Sequence, residues 1–218
     1  MPKSPSSNVL LEQNSSLPLC RVQVTLRAGG ACDASPDAAC GLGDGETLDG
    51  LANFATELQR RGAGGKSRAE IDERVDSLGA SVQVLCWHDQ VLFEAMALKE
   101  NIDAACAIMA DVLLRPDFPT NEAEKLRREL AAHLDDLRDD DAGLMQRFFA
   151  RAMYGSHAYG RPIGGTSESV PRYSVKLAQN WFSHYVTRDN VLFGAAGDLN
   201  TAEAQSLFSR HFGKLPEG

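Results

Sequence analysis

Alternation of apolar and polar residues predicts the first well-defined strand of the chain. Between Leu19 and Arg27 the two kinds of residue alternate, and a period of two sends successive side chains to opposite faces of a strand. The apolar set is Cys20, Val22, Val24 and Leu26. A shorter strand is predicted over Asn8 to Gln13, so the chain begins with two strands.

Three later stretches also have strand character. Ser81 to Trp87 and Val91 to Leu98 are separated by His88-Asp89-Gln90, which is short enough for a hairpin turn. A last strand is predicted over Asn190 to Ala196, before a turn at Gly197-Asp198.

A helical period first appears over residues 48–61. The apolar stripe at i, i+3, i+4 and i+7 is Leu51, Phe54, Ala55 and Leu58. Thr47 or Asp49 is predicted to cap the first turn through a side-chain oxygen. Gly62 is predicted to end the helix, because glycine takes the left-handed conformation at little cost.

The remaining helices are predicted from the same period and from their caps. Ser67 and Glu70 form a capping box that opens one helix, and Gly79 ends it. These helices span 67–79, 101–114, 120–139, 143–154, 172–186 and 201–212. Strands grouped with helices without strict alternation indicate an α+β fold, a mostly antiparallel sheet with helices packed on one face.

Composition and charge exclude several classes of function. The chain of 218 residues has a net charge of −8 and a pI near 5.1. Nucleic acids and anionic membranes both attract positively charged protein surfaces, so neither is predicted as a partner of this acidic chain. No apolar run approaches the ~20 residues of a membrane span, and the N-terminus lacks the apolar core of a signal peptide. The expected location is the cytoplasm, or the periplasm if a signal peptide has been removed.

Five cysteines occur, an odd number without a CxxC pair. This pattern favours reduced thiols over a disulfide framework, although Cys32 and Cys40 flank a loop and could pair. The loop over 29–50 is rich in glycine, but its acidic residues and its spacing do not favour phosphate binding.

The run Gly50-Leu51-Ala52-Asn53-Phe54 resembles the entry to the zinc-binding helix of the pitrilysin/insulinase family of metallopeptidases (M16). That family carries His-x-x-Glu-His on this helix, where two histidines bind zinc and the glutamate activates the metal-bound water. The matching positions here are Asn53, Phe54, Ala55, Thr56 and Glu57. Both histidines and the catalytic glutamate are therefore absent, and no catalytic residue is predicted.

Other stretches carry the resemblance across nearly the whole chain, in the family's order. They are Val22 to Gly29, Ser67 to Gly79, Arg115 to Phe118, His157 to Gly165 and Asn190 to Asp198. The resemblance implies an N-terminal-type half of a family member. The polar, proline-bearing segment 1–7 is expected to be disordered, residues 8–214 to form a single domain, and 215–218 to start a linker. The resemblance implies that this linker leads to a second half.

The resemblance also implies a third zinc ligand about 75 residues after the motif, near His133. His133 with Asp135 or Asp136, and with Asn53 or Glu57, is an alternative metal site. Asparagine is a poor zinc ligand, so no cofactor is expected here although active family members bind zinc.

Other polar residues have a functional and a structural interpretation. Glu57 could act as a base, but a surface or helix-dipole role is favoured. Cys86, His88 and Asp89 could form a Cys-His site, although nothing nearby marks an oxyanion hole. His157 and Tyr159 are interpreted as structural.

Three functions stay open from the sequence. The first is a non-catalytic M16-like domain that pairs with a second half or a zinc-bearing partner and helps form a peptide-binding chamber. The second is a metalloendopeptidase whose site is rearranged or completed by another part. The third is a scaffold domain without a peptide role. The residues that would bind peptide are not identified.

Overall fold

The structure is a computed structural model that describes residues 9–34 and 48–217. The predicted disordered segment 1–7, Asn8, Thr47 and Cys40 lie outside the described residues. Seven strands are described: β1 (Val9–Gln13), β2 (Leu19–Leu26), β3 (Gly62–Ala63), β4 (Lys66–Ser67), β5 (Ser81–Cys86), β6 (Val91–Leu98) and β7 (Val191–Gly197). The helices described are α1 (Leu51–Gln59), α2 (Arg68–Ser77), α3 (Ile102–Leu114), α4 (Thr120–Asp136), α5 (Asp141–Tyr154), α6 (Val175–Tyr185) and α7 (Thr201–Phe212).

Five strands form one sheet in the order β1-β7-β2-β6-β5. β1 runs parallel to β7, and the other neighbouring pairs are antiparallel. The predicted mostly antiparallel sheet is confirmed, and so is the hairpin of β5 and β6. β3 and β4 form a separate two-stranded ribbon between α1 and α2.

One face of the sheet is buried beneath helices. Val24 on β2 pairs with Phe93 on β6 and Phe193 on β7, and all three side chains are buried. α1, α3 and α7 contact the strands. The opposite face is polar at its centre, where the Gln23 amide donates to Glu94 at 2.6 Å. This division confirms the expectation that helices lie on one face.

Several element ends differ from the prediction. α1 ends at Gln59, and Gly62 starts β3 with Ala63 instead of ending the helix in a left-handed conformation. The helix predicted over 172–186 begins at Val175, because Pro171 lies in a separate 3₁₀ turn and the Ser174 hydroxyl caps the new first turn. By contrast, the Ser67–Glu70 capping box at the start of α2 is confirmed.

The predicted break after the long charged helix is confirmed. A 3₁₀ turn (Leu137–Asp139) follows α4, and Asp140 then caps α5 by accepting from the Ala142 N–H at 3.1 Å. α5 therefore starts at Asp141, two residues before the predicted Gly143. None of the described helices has the length and apolar character needed to span a bilayer.

Candidate functional site

α1 carries the positions that match the zinc motif, and it lies at the centre of the helical layer. It contacts α6, α4 and the edge strand β5. Its apolar stripe is fully buried, and the Phe54 ring lies 4.9 Å from the Tyr173 ring, centroid to centroid. The helix is thus fixed from several sides, which makes its side-chain positions well defined.

The N-terminus of α1 is capped by a residue that the sequence did not single out. The Asp33 carboxylate accepts from the Gly50 N–H at 2.7 Å and from the Ala52 N–H at 2.8 Å. Asp33 is only 2% exposed, and its burial raises the pKa of the carboxyl to about 7 against the opposing effect of these bonds. The prediction of Asp49 as cap is wrong, since α1 has no side-chain cap of its own.

Asp49 instead stabilises the start of α1 through its main-chain carbonyl and through an ion pair of its side chain. The Tyr173 hydroxyl donates to the Asp49 carbonyl at 2.5 Å, and the Asp49 carboxylate lies 3.6 Å from the Arg161 guanidinium. Next to it, Gly50 has a φ of 87°. A Cβ at Gly50 would lie 2.3 Å from the Tyr173 hydroxyl, so this turn accepts only glycine without rearrangement.

The motif positions themselves do not form a zinc site. Asn53 and Glu57 are partly exposed, whereas Phe54 and Ala55 are buried. Thr56, at the position of the catalytic glutamate, is 1% exposed and donates its hydroxyl to the Ala52 carbonyl at 2.6 Å. Only Glu57 offers a good zinc ligand, and the buried threonine hydroxyl is committed to its own helix. These residues do not fit the metal.

In the third-ligand region, a glutamate one turn before His133 pairs with an arginine just after α1. His133 is exposed near the end of α4. One turn earlier, Glu129 accepts from the Arg61 guanidinium through two bonds, of which Nη1 to Oε1 is 3.1 Å and Nη2 to Oε2 is shorter. The Arg61 bond lowers the pKa of Glu129. Within residues 9–34 and 48–217, no three His, Cys, Asp or Glu side chains are close enough to hold a metal ion.

The Cys86–His88–Asp89 alternative is not supported by its contacts. Burial raises the pKa of the Cys86 thiol to about 12, which keeps it protonated and unreactive. His88 Nε2 lies 3.2 Å from the Arg161 carbonyl oxygen, and Asp89 accepts from the Tyr159 hydroxyl at 2.5 Å. His88 and Asp89 are therefore both bonded to the loop after α5. The four described cysteines, Cys32 among them, are free thiols.

His157 and Tyr159 hold this loop in place, as the structural interpretation expects. His157 Nδ1 accepts from the Tyr159 N–H at 3.2 Å, and Tyr159 reaches the β5–β6 turn through Asp89. Arg161 adds a bond from Nη2 to the Ala31 carbonyl at 3.1 Å. The loop is thus tied both to the β5–β6 turn and to a 3₁₀ turn (Gly30–Ala34) that carries Asp33.

A cavity of about 950 Å³ lies between the end of α4, α5 and this loop. His133, Arg147 and Arg161 are among its lining residues, together with the apolar side chains of Leu144 and Phe148. No local pattern in the sequence indicates this cavity, because its wall is assembled from separate segments of the chain.

Fold and site together define a peptidase-like α+β domain whose central helix lacks the zinc-binding side chains. Residues 8–167 match the model of the insulinase family, peptidase family M16. The chain belongs to this family.

The relatives are longer than this chain and share about a quarter or less of its aligned residues. A protein named uncharacterized zinc protease YmxG from Bacillus subtilis is 25% identical over 153 residues, which is 70% of this chain and 37% of that protein. The human mitochondrial-processing peptidase subunit beta is 20% identical over 201 residues, covering 92% of this chain and 39% of that subunit. The chain therefore spans well under half the length of these relatives.

Solved structures share the fold over almost the whole chain. A crystal structure described as an M16 peptidase inactive domain from Pseudomonas fluorescens superposes with a TM-score of 0.86 at 20% identity, covering 96% of this chain and 48% of that one. A protease from Helicobacter pylori gives 0.82 at 17% identity, with the same coverage. The chain thus corresponds to one half of each solved protein.

Proposed function

We propose that this chain is a non-catalytic M16 domain that pairs with a second M16-like domain, in the same protein or in a zinc-bearing partner, and helps enclose a peptide. The observation that carries the proposal is the state of the motif positions on α1. Asn53, Thr56 and Glu57 replace the two ligands and the base, and Thr56 is buried and bonded to its own helix. A chain with these residues has no group to activate a metal-bound water.

An exposed apolar stripe on α5 supports pairing. Met145, Phe149 and Met153 lie four residues apart on one helix face and are 62–64% exposed. None of the three lines the cavity. Exposed apolar surface of this kind marks interaction sites. The occupant we propose is a second M16-like domain, because the solved relatives are about twice the length of this chain.

An edge strand supports peptide binding. β5 is at one end of the sheet, pairs with β6 alone among the described strands and contacts α1. A free strand edge binds an extended peptide through main-chain hydrogen bonds. The peptide would then lie beside the helix that carries the cleavage residues in a zinc-bearing relative.

Replacing Phe149 and Met153 with serine is expected to weaken pairing roughly 10-fold or more, because both side chains would lose their buried contacts. The measurement is sedimentation velocity on the chain during titration with a separately purified M16 chain that has an intact His-x-x-Glu-His motif. Leu17→Ser is the matched control, since Leu17 is 64% exposed in a turn away from α5. Equal pairing by both variants, or no pairing by the unaltered chain, would contradict the proposal.

A further inference from the structure

The cavity beside α5 is positively charged in an acidic protein. Four arginines and two aspartates line it, a net charge of +2 with its histidines neutral, whereas the whole chain carries −8. Three of the arginines have partners. Arg138 lies 3.4 Å from Asp135, Arg161 pairs with Asp49, and Arg151 donates to the Gly155 carbonyl at 2.9 Å.

Arg147 is the exception. Its side chain is half-buried on α5, and it has no hydrogen-bond or ion-pair partner among residues 9–34 and 48–217. Burial without a counter-ion lowers the pKa of the guanidinium. Withdrawing a cation from water is unfavourable unless an anion compensates for the lost hydration. Arg147 is therefore a partly buried cation in the wall of the cavity that is available to pair with a negative group.

The shape and lining of the cavity restrict what that group belongs to. Leu134, Leu144, Phe148, Ile163 and Val170 make much of the wall apolar. A volume near 950 Å³ is at the upper end of ligand pockets, which favours a chain of several residues over a small anion. Asp49 and Asp135 would repel a doubly charged phosphate more strongly than a singly charged carboxylate.

We propose that this cavity binds a peptide carboxylate, with Arg147 as its counter-ion and an adjacent apolar side chain against Phe148 and Ile163. The inference rests on the proposed function for the presence of a peptide, and it adds a preference for acidic-apolar segments. The planar guanidinium suits bidentate binding of a carboxylate, and both an acidic side chain and a peptide's C-terminus supply one.

The test is fluorescence anisotropy with three labelled octapeptides at low and high salt. One alternates leucine and glutamate with a free C-terminus, the second has the same sequence with a C-terminal amide, and the third has glutamine in place of glutamate and a C-terminal amide, so that it carries no carboxylate. The first is expected to bind roughly 10- to 100-fold more tightly than the third, and less so at high salt. Comparison with the amidated peptide separates a side-chain carboxylate from a terminal one.

Arg147→Gln is expected to remove most of this preference while binding of the glutamine peptide stays the same. Arg74→Gln is the matched control, because Arg74 is an exposed arginine on α2 away from the cavity. Melting temperatures of both variants check that they fold. Equal binding of acidic and neutral peptides, absence of binding, or retention of the preference in Arg147→Gln would overturn the inference.

The two proposals fail in different ways. Peptide binding that ignores Arg147 overturns the carboxylate site and leaves the non-catalytic pairing domain standing. Absence of pairing by the unaltered chain in the sedimentation experiment, with the Arg147-dependent preference intact, overturns the pairing domain and leaves the carboxylate site.

Discussion

Replacing Asp33 with alanine is expected to lower the free energy of unfolding by about 2–5 kcal/mol, because two buried N–H groups lose their acceptor and each costs roughly 1–3 kcal/mol when unsatisfied. The donors are the Gly50 and Ala52 amides, both buried at the start of α1. Urea unfolding at pH 5, followed by tryptophan fluorescence, measures the change. A loss below about 0.5 kcal/mol, the scale of an ordinary surface substitution, would show that the cap is unimportant.

Asp33→Asn separates the charge of the carboxylate from its bonding. The folded-state pKa of Asp33 is about 7, above its unfolded value near 4. Protonation of the Asp33 carboxyl therefore stabilises the folded state, and this contribution is fully present below pH 4 and is lost as the pH rises through 7. The stability advantage of the unaltered chain over Asp33→Asn is expected to shrink between pH 4 and pH 7, by up to about 4 kcal/mol. A difference that stays constant over this range would contradict the raised pKa.

Replacing Gly50 with alanine is expected to cost about 3 kcal/mol or more. The left-handed φ of 87° costs an alanine roughly 1–2 kcal/mol, and its Cβ would also lie 2.3 Å from the Tyr173 hydroxyl and 2.6 Å from the Gly165 nitrogen. The clash would break the bond from Tyr173 to the Asp49 carbonyl or displace the start of α1. The measurement is again the free energy of unfolding in urea.

Gly79→Ala is the matched control for this steric effect. Gly79 has a φ of 57° at the end of α2, and nothing lies within 4 Å of its would-be Cβ. It should therefore lose only the conformational part, about 1–2 kcal/mol. Equal losses at Gly50 and Gly79 would mean that the Tyr173 contact does not constrain the turn.

Most strands and helices of this fold could be predicted because the residues that specify each element are neighbours in the sequence. The alternation around Val22 specifies a strand with one buried face, and the Ser67–Glu70 box specifies the start of α2. The end of α1 was misplaced because Gly62 is used in a strand pair with Ser67 instead of a helix cap. That choice depends on a tertiary pairing, which the helical period of α1 does not contain.

The candidate site was only partly predictable for the same reason. The motif positions on α1 are adjacent in sequence, so their lack of zinc ligands is visible without a structure. Asp33 lies 17 residues before the amide it caps, and Arg61 lies 68 residues before Glu129. No sequence pattern indicates that residues this far apart in the chain will be in contact. Arg147 stands out only because the fold partly buries it and the described residues supply no ion-pair partner.

Whether this M16 domain is non-catalytic is decided by the zinc content of the purified chain, measured by elemental analysis. The protein is loaded with zinc and desalted, with a chelator-treated sample and a zinc-bearing M16 chain as controls. We expect less than about 0.1 zinc ion per chain, since one carboxylate on α1 cannot hold the metal tightly. A value close to one zinc ion per chain that is abolished in His133→Ala would contradict it and point to a rearranged metal site.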